Sequence, residues 1–234
     1  MLESLKQAVC NANLELTEHG VVIYTWGNVS GIDRDSGCVV IKPSGVDPRR
    51  LKPKNMVVVS LADGRVVEGE FRPSSDTATH LELYRAWTGI GGIAHTHSNY
   101  ATAWAQARRD IPPLGTTHAD FALGAIPCTR LLTTAETAQE YEANVGRVIL
   151  ERFAGLDPLR IPAVLVADHG PFAWGSSPQE AVYNAVVLEE IACVGVATLT
   201  LDPGAEPISK VLLNRHFFRK HGPSATYGQN KNPT

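Results

Sequence analysis

Two histidines separated by a single residue are the clearest chemical signal in the sequence. His95-Thr96-His97 follows the apolar run 91–94, and side chains two apart on a strand point to the same side. His169 follows another apolar run, just before a Gly-Pro pair that predicts a tight turn. A His-x-His pair alone is equally consistent with an incidental arrangement. The third histidine and Asp76, a candidate oxygen ligand, favour a zinc site, because catalytic zinc usually keeps three protein ligands and an open position.

Three polar turns supply groups that suit an anion. Lys42-Pro43-Ser44-Gly45 offers an ammonium, a hydroxyl and a glycine amide. Pro73-Ser74-Ser75-Asp76 offers two hydroxyls at the predicted start of a helix, and Gly27-Asn28-Val29-Ser30 is a third polar turn. Each segment taken alone is also typical of an ordinary turn. Because the candidate anion and metal groups share residues 74–76, the sequence predicts a phosphorylated substrate that reaches both.

The elements that must position these groups alternate between helices and strands. Periodicity and capping signals predict helices over residues 2–18, from 76 or 77 to 87, and over 134–152, 178–199 and 208–220. Apolar runs predict strands at 39–41, 57–61, 66–67, 91–95 and 164–166, with a hairpin at Asp63-Gly64. This order predicts an α/β layered domain with a mixed sheet, and a helix-rich α+β arrangement stays open.

Composition limits the classes of partner and compartment. The net charge of -3 and pI near 6.2 provide no overall attraction for nucleic acid or an anionic membrane. The four scattered cysteines form no Cys-x-x-Cys pair, which favours reduced thiols in a cytosol. Charges interrupt the N-terminal apolar residues, which argues against a signal peptide or membrane span. We therefore expect a cytoplasmic protein without nucleic-acid or membrane partners.

Six segments in order carry a resemblance to a known family. They are Thr25-Trp26-Gly27-Asn28-Val29-Ser30, Ile41-Lys42-Pro43-Ser44-Gly45-Val46, Pro73-Ser74-Ser75-Asp76-Thr77, His95-Thr96-His97-Ser98, Gly115-Thr116-Thr117-His118-Ala119-Asp120 and His169-Gly170-Pro171-Phe172-Ala173-Trp174-Gly175. Together they closely resemble the class II aldolase/epimerase family, in its pentulose-phosphate 4-epimerase branch. The resemblance covers one domain, residues 1–228, and leaves residues 229–234 as an expected disordered tail. It implies a three-layer α/β/α fold around a central mixed, largely antiparallel sheet.

The resemblance also implies roles for individual residues. It implies one zinc ion (Zn2+) per subunit, held by Asp76, His95, His97 and His169, and an acid/base pair formed by Asp120 and Tyr227. The residues implied in substrate and phosphate binding are Asn28, Lys42, Ser44, Gly45, Ser74, Ser75, Thr116, Glu142, His216 and Arg219. It further implies a homotetramer whose active sites lie between subunits.

The implied reaction interconverts L-ribulose 5-phosphate and D-xylulose 5-phosphate, a step of arabinose-type sugar catabolism. Deprotonation at carbon 4 is unfavourable, because the carbanion would not be conjugated with the ketone at carbon 2. Cleavage between carbons 3 and 4 avoids this carbanion and leaves an aldehyde phosphate that can turn and be attacked on its other face. Two proton-transfer groups are then needed, one on each face of the aldehyde.

Three other functions stay open at this point. An aldolase of the same family, acting for example on L-fuculose 1-phosphate, would use the same histidines, but the related aldolase pattern has a glutamate where this chain has Asp76. A non-catalytic sugar-phosphate-binding module would be expected to lack at least one metal or acid/base residue. A hydrolytic zinc enzyme is disfavoured, because the sequence has no His-Glu-x-x-His.

The chain departs from the family pattern at three places. Phe121 stands where a tyrosine is common, Asp168 precedes the third histidine, and the segment 155–161 is short. These departures leave the expected ligands and acid/base residues in place. They weaken the expectation about substrate preference.

Overall fold

The computed structural model describes residues 2–222 and 225–227, so the expected tail at 229–234 lies outside the described residues. The helices and strands of the described chain are α1 (Glu3–Glu18), β1 (Gly27–Asp33), β2 (Cys38–Ile41), β3 (Val57–Ser60), β4 (Val66–Glu68), α2 (Thr77–Ala86), β5 (Gly92–Thr96), α3 (Asn99–Gln106), α4 (Thr116–Ala119), α5 (Thr134–Ala138), α6 (Tyr141–Arg152), β6 (Ala163–Val166), β7 (Gly170–Gly175), α7 (Pro178–Leu201) and α8 (Lys210–Lys220).

The strands form one seven-stranded sheet in the order β4-β3-β2-β1-β5-β7-β6. Each neighbouring pair in this order is antiparallel. A single bridge between Cys128 and Leu165 adds a parallel contact beside β6. The largely antiparallel sheet expected from the sequence is confirmed, and its parallel part is confined to this bridge among the described residues.

Helices cover both faces of the sheet, and β1 shows how the faces are divided. A side chain at Gly31 would point toward Leu5 of α1 and Pro178 of α7, whereas the hydroxyl of Ser30 contacts His80 and Tyr84 of α2. Since neighbouring residues of a strand point to opposite faces, α1 and α7 lie on one face and α2 on the other. With α3 packed beside α7 and α6 beside α2, the expected three-layer α/β/α arrangement is confirmed.

Helix α7 is the most apolar helix of the described chain. Its length and composition alone would allow it to cross a membrane. In the structure its inner face is buried against α1, α3, β5 and β7, with Val182, Leu188 and Ile191 in the core. Its hydrophobicity therefore serves at least in part to cover the sheet.

The polar segment 27–30, expected as a turn, forms the first part of the buried central strand β1. The expectation was wrong because the polar side chains find partners inside the fold. Asn13 of α1 pairs with the backbone of Val29, donating to its carbonyl at 3.1 Å and accepting from its amide at 2.9 Å. Ser30 is hydrogen-bonded to α2, so burying it leaves no unpaired hydroxyl.

The helix predicted over residues 134–152 is interrupted. Helix α5 ends at Ala138, and Glu140 has a left-handed backbone with φ 50° before α6 begins. The side-chain amide of Asn144 donates to the carbonyls of Glu136 at 3.0 Å and Gln139 at 2.8 Å. Local hydrogen bonding by asparagine therefore replaces the helical bonds that propensity alone would favour. Helix α3 and strand β7 are additional elements that periodicity did not indicate.

A close approach between β5 and the start of α7 should make Gly92 indispensable. A Cβ on Gly92 would lie 2.3 Å from the carbonyl oxygen of Ser177, whereas Gly115, in extended backbone, has no atom within 4 Å of the same position. We expect Gly92→Ala to lower the free energy of unfolding by about 2 kcal/mol or more. Gly115→Ala should change it by less than about 1 kcal/mol. Urea denaturation measures both values, and equal effects would show that this approach does not constrain the fold.

Candidate active site

One cavity of about 570 Å³ brings together most residues of the predicted site. All four predicted metal ligands line it, together with seven of the predicted substrate residues, which are Asn28, Lys42, Ser44, Gly45, Ser74, Ser75 and Glu142. The pairing of β1 with β5 sets Asn28 directly opposite His95, so that both side chains lie on the same face of the sheet. The metal and phosphate groups that are far apart in sequence therefore meet at one end of adjacent strands.

The three histidines converge where β5 ends and β7 begins. Since β5 and β7 are antiparallel and His95 pairs with Phe172, the residue before β7 returns to the end of β5. One ring nitrogen from each of His95, His97 and His169 can be chosen so that the three atoms lie within 4.8 Å of one another. The Nε2 atoms of His95 and His97 are 3.1 Å apart. This spacing suits a single ion bound by all three rings.

The ring of His95 is held from outside the cluster. Its Nδ1 lies 2.9 Å from the carbonyl oxygen of Pro171, and its ring stacks on Phe172 with centroids 4.2 Å apart. A carbonyl can only accept a hydrogen bond, so Nδ1 must donate and Nε2 is left with its lone pair. Metal-binding histidines in proteins are commonly oriented in this way.

The electrostatics of the cluster favour uncharged rings. Burial lowers the pKa of His97, and His95 lowers it further. Burial, with the nearby rings of His95 and His97, lowers the pKa of His169 to about 3. Neutral imidazole is the form that binds a metal ion. Three converging rings, two of them with lowered pKa values, therefore fit a zinc ion, although ligation by these residues remains a prediction.

Asp76 lies in the same cavity but outside the group of three ring nitrogens. It occupies the N-cap position of α2 without capping the helix, and it accepts a hydrogen bond of 2.6 Å from the Asn28 amide. Burial raises the pKa of Asp76, but His95 and His80 oppose this effect and the net pKa is lowered. Its ionised carboxylate faces the histidines. Its role as a fourth ligand remains a prediction.

Lys42 places a cation in the same cavity. Only 2% of the residue is exposed, and burial lowers the pKa of its ammonium. Among the described residues, its one hydrogen bond is to the carbonyl of Pro43 at 3.3 Å. Nearby, Gly45 turns the chain with φ 69°, a left-handed conformation that glycine adopts without strain. Asp76 and Asp47 oppose this lowering without a hydrogen bond to the ammonium, so an anion in the cavity would supply a direct charged partner.

Asp120 is held in a second cluster by side chains of α8. His216 Nδ1 lies 2.9 Å from its carboxylate, Arg219 donates at 2.7 Å, and the Lys220 ammonium is 3.2 Å away. Burial raises the pKa of Asp120, but hydrogen bonds from Arg219, His216 and Lys220 lower it to about 2. The cluster thus contains an ionised carboxylate surrounded by cations.

Tyr227 and Thr116 belong to the same neighbourhood as Asp120. The ring of Tyr227 lies 4.4 Å from the Lys220 ammonium and 5.5 Å from the Arg219 guanidinium, and 65% of the residue is exposed. The carbonyl of Thr116 accepts a hydrogen bond from the Asp120 amide at 2.9 Å. Asp120 and Tyr227 are therefore both close to the Arg219 guanidinium and the Lys220 ammonium.

Asp120 lines a different cavity from the predicted metal ligands. Asp120 borders a second cavity of about 540 Å³, which shares no lining residue with the cavity of the histidines. Within one chain, the described structure does not bring Asp120 and Tyr227 into the cavity of the predicted metal ligands. The catalytic role of this pair remains a prediction.

Sequence reasoning missed Tyr141, which lines the histidine cavity with its hydroxyl 3.3 Å from His169 Nδ1. It also missed Trp26 as a cavity residue and His80 as a fully buried neighbour of Asp76. His80 follows Asp76 by four residues on the predicted helix, so helical spacing could have indicated that contact. The inward position of Tyr141 depends on the interruption between α5 and α6.

Two departures from the family pattern have clear structural settings. Phe121 is buried and borders the second cavity beside Asp120. Asp168 adopts a left-handed backbone with φ 61° and accepts two hydrogen bonds from Arg108, at 2.9 and 3.0 Å. Aspartate tolerates this backbone better than most residues, and the ion pair holds the turn that leads into His169.

Comparison with known proteins identifies relatives of the whole fold. The family model described as Class II Aldolase and Adducin N-terminal domain matches residues 7–195. A protein of Salmonella paratyphi A named L-ribulose-5-phosphate 4-epimerase UlaF is 55% identical over 228 residues, covering 97% of this chain and 100% of the relative. The protein of the same name from Salmonella typhi is also 55% identical over the same shares.

Solved structures of lower sequence identity superpose on this fold. An L-fuculose 1-phosphate aldolase superposes with a TM-score of 0.77 and 26% identity, covering 91% of this chain and 94% of that chain. The L-fuculose-1-phosphate aldolase of Thermus thermophilus superposes with a TM-score of 0.64 and 27% identity, covering 88% of this chain and 98% of that chain. Together with the family model and the high-identity relatives, these matches show that the chain belongs to the class II aldolase family.

Proposed function

We propose that this chain is a zinc-dependent epimerase that interconverts L-ribulose 5-phosphate and D-xylulose 5-phosphate. The observation that carries the proposal is one cavity with three converging histidines and a buried lysine ammonium that has a single weak hydrogen bond. Such a cavity suits a small phosphorylated sugar that reaches a metal ion. The relatives named as 4-epimerases, 55% identical over nearly the whole chain, support this choice of substrate.

In this proposal His95, His97 and His169 hold the zinc ion, with Asp76 as the fourth ligand. When bound there, zinc supplies a Lewis acid that polarises sugar oxygens and stabilises negative charge developing during cleavage. The 2.6 Å hydrogen bond from Asn28 keeps the Asp76 carboxylate turned into the cavity rather than onto the end of α2.

In this proposal the phosphate is held in the same cavity by Lys42, with the hydroxyls of Ser44, Ser74 and Ser75 and the amide of Gly45. Binding the phosphate pairs the buried ammonium and keeps the aldehyde fragment in place while it turns. Retention of this fragment distinguishes an epimerase from an aldolase that uses the same groups. Glu142 borders the cavity and is placed to contact the sugar.

Asp120 and Tyr227 are proposed to move protons on the two faces of the aldehyde. Because these residues lie apart from the histidine cavity within one chain, they would have to come from a neighbouring subunit, together with Thr116, His216 and Arg219. We therefore propose a homotetramer with active sites between subunits. The apolar side chains that α7 exposes, including Val194, Val196 and Leu201, support self-association. A cytoplasmic location stays a prediction.

The test of the reaction is to incubate zinc-loaded protein with L-ribulose 5-phosphate and follow D-xylulose 5-phosphate and free glycolaldehyde phosphate over time. Formation of xylulose phosphate without released aldehyde would support the epimerase. Stoichiometric release of aldehyde would replace it with an aldolase. Absence of both products would reject this substrate.

His97→Asn should remove both the metal and the activity. The variant loses one of three converging imidazoles, so we expect zinc content to fall to background and epimerase activity to fall more than about 100-fold. Zinc is measured by mass spectrometry of the purified protein. His19→Asn, at the end of α1, is the matched control and should keep both properties. Full zinc and activity in His97→Asn would exclude His97 from the site.

Lys42→Met should weaken binding of the phosphorylated substrate without lowering the stability of the protein. Loss of the charge-assisted contact should raise KM for the phosphorylated substrate about 10- to 100-fold. Removal of a buried, poorly paired charge should leave the free energy of unfolding of the ligand-free protein unchanged or higher. Steady-state kinetics and urea denaturation measure the two effects, with exposed Lys54→Met as control. An unchanged KM would argue against phosphate binding by Lys42.

A mixing experiment tests whether sites are shared between subunits. Asp120→Asn and His97→Asn should each be inactive alone. When the two are co-expressed with different tags and purified as mixed oligomers, random assembly should restore about a quarter of wild-type activity. This recovery requires intact histidines from one subunit and intact Asp120 from another. No recovery in verified mixed oligomers would place each complete site within one chain.

A further inference from the structure

Tyr141 has a hydroxyl in the histidine cavity that the proposed reaction does not yet use. Its oxygen lies 3.3 Å from His169 Nδ1, and the two rings are 6.0 Å apart at an angle of 31°. The tyrosine lines the same cavity as His95 and His97. It therefore contacts the predicted third ligand within this cavity.

The backbone holds Tyr141 in this position. It is the first residue of α6, directly after the left-handed Glu140, and the amide of Asn144 binds two carbonyls at this interruption. The next carbonyl, of Glu142, accepts a 2.6 Å hydrogen bond from Thr79 of α2. The first turn of α6 is thus tied to both flanking helices, and an uninterrupted helix would direct residue 141 differently.

His169 has less backbone support for its ring than His95 has. His95 donates from Nδ1 to the fixed carbonyl of Pro171, which leaves its Nε2 for a metal. For His169, the hydrogen-bond partner of Nδ1 among the described residues is the hydroxyl of Tyr141. If the tyrosine oxygen accepts from Nδ1, His169 is set in the same tautomer as His95. Partners of this kind typically change metal affinity 10- to 100-fold.

We propose that Tyr141 is a positioning residue that accepts a hydrogen bond from His169 Nδ1 and so directs Nε2 of that ring toward a zinc ion shared with His95 and His97. The inference rests on the proposed function, because it needs a metal at the three histidines. Tyr141 acts through His169 and has no assigned contact with substrate.

The test is zinc affinity in Tyr141→Phe, which removes the hydroxyl and keeps the ring. We expect the dissociation constant for zinc, measured by competition with a chromophoric chelator, to rise about 10-fold or more. The visible absorption of the cobalt-substituted protein should also shift, because the third ring is free to reorient. Tyr100→Phe removes a partly exposed phenol from α3 and should match wild type in both measurements.

Thermal unfolding of the metal-free protein separates positioning from packing. Positioning predicts that Tyr141→Phe lowers zinc affinity while the metal-free midpoint stays near that of wild type. Unchanged zinc affinity and cobalt spectrum would overturn the role of Tyr141 but leave the proposed function intact, provided that His97→Asn loses zinc. Zinc binding that is equal in wild type and His97→Asn would overturn both, because the ion would then bind elsewhere.

Discussion

The antiparallel pairing of β5 with β7 is the constraint on which the rest of the site depends. It brings a histidine that lies 74 positions beyond His95 in sequence back to the end of β5, with His95 opposite Phe172. Beside this pairing, Gly91 and Gly92 allow the chain at Ser176 and Ser177 to approach β5 closely. A shift of one residue in the register of β5 would turn His95 toward the opposite face of the sheet and separate the three histidines.

The cavity combines groups that water would normally solvate. It contains His97 and His169, whose pKa values are lowered by burial, and the buried ammonium of Lys42, which has a single weak hydrogen bond. Such groups cost stability in the empty protein, since their hydrogen bonds to Tyr141 and Pro43 replace only part of the water and leave places for further partners. A metal ion and a phosphate would supply these partners. The polarity of the cavity is therefore better explained by ligand binding than by folding.

The second cluster has the opposite character. Asp120 is surrounded by His216, Arg219 and Lys220, so its charge is already compensated within one chain. Helix α8 contributes these three side chains and also anchors the segment that carries Tyr227, whose amide donates to the Arg219 carbonyl at 2.9 Å. This cluster is preformed before any substrate binds. An assembly that shares sites between subunits would join the histidine cavity to this cluster without remodelling either.

The sequence by itself determined the residue types of the candidate site, the three-layer fold through its family motifs, and most helices through their periodicity. It did not indicate that residues 27–30 form a buried strand, because their partners Asn13, His80 and Tyr84 are distant in sequence. Nor did it indicate the interruption before α6 that turns Tyr141 toward His169. Local propensity reports only on neighbours along the chain, whereas these outcomes depend on hydrogen bonds that exist only after distant segments have packed together.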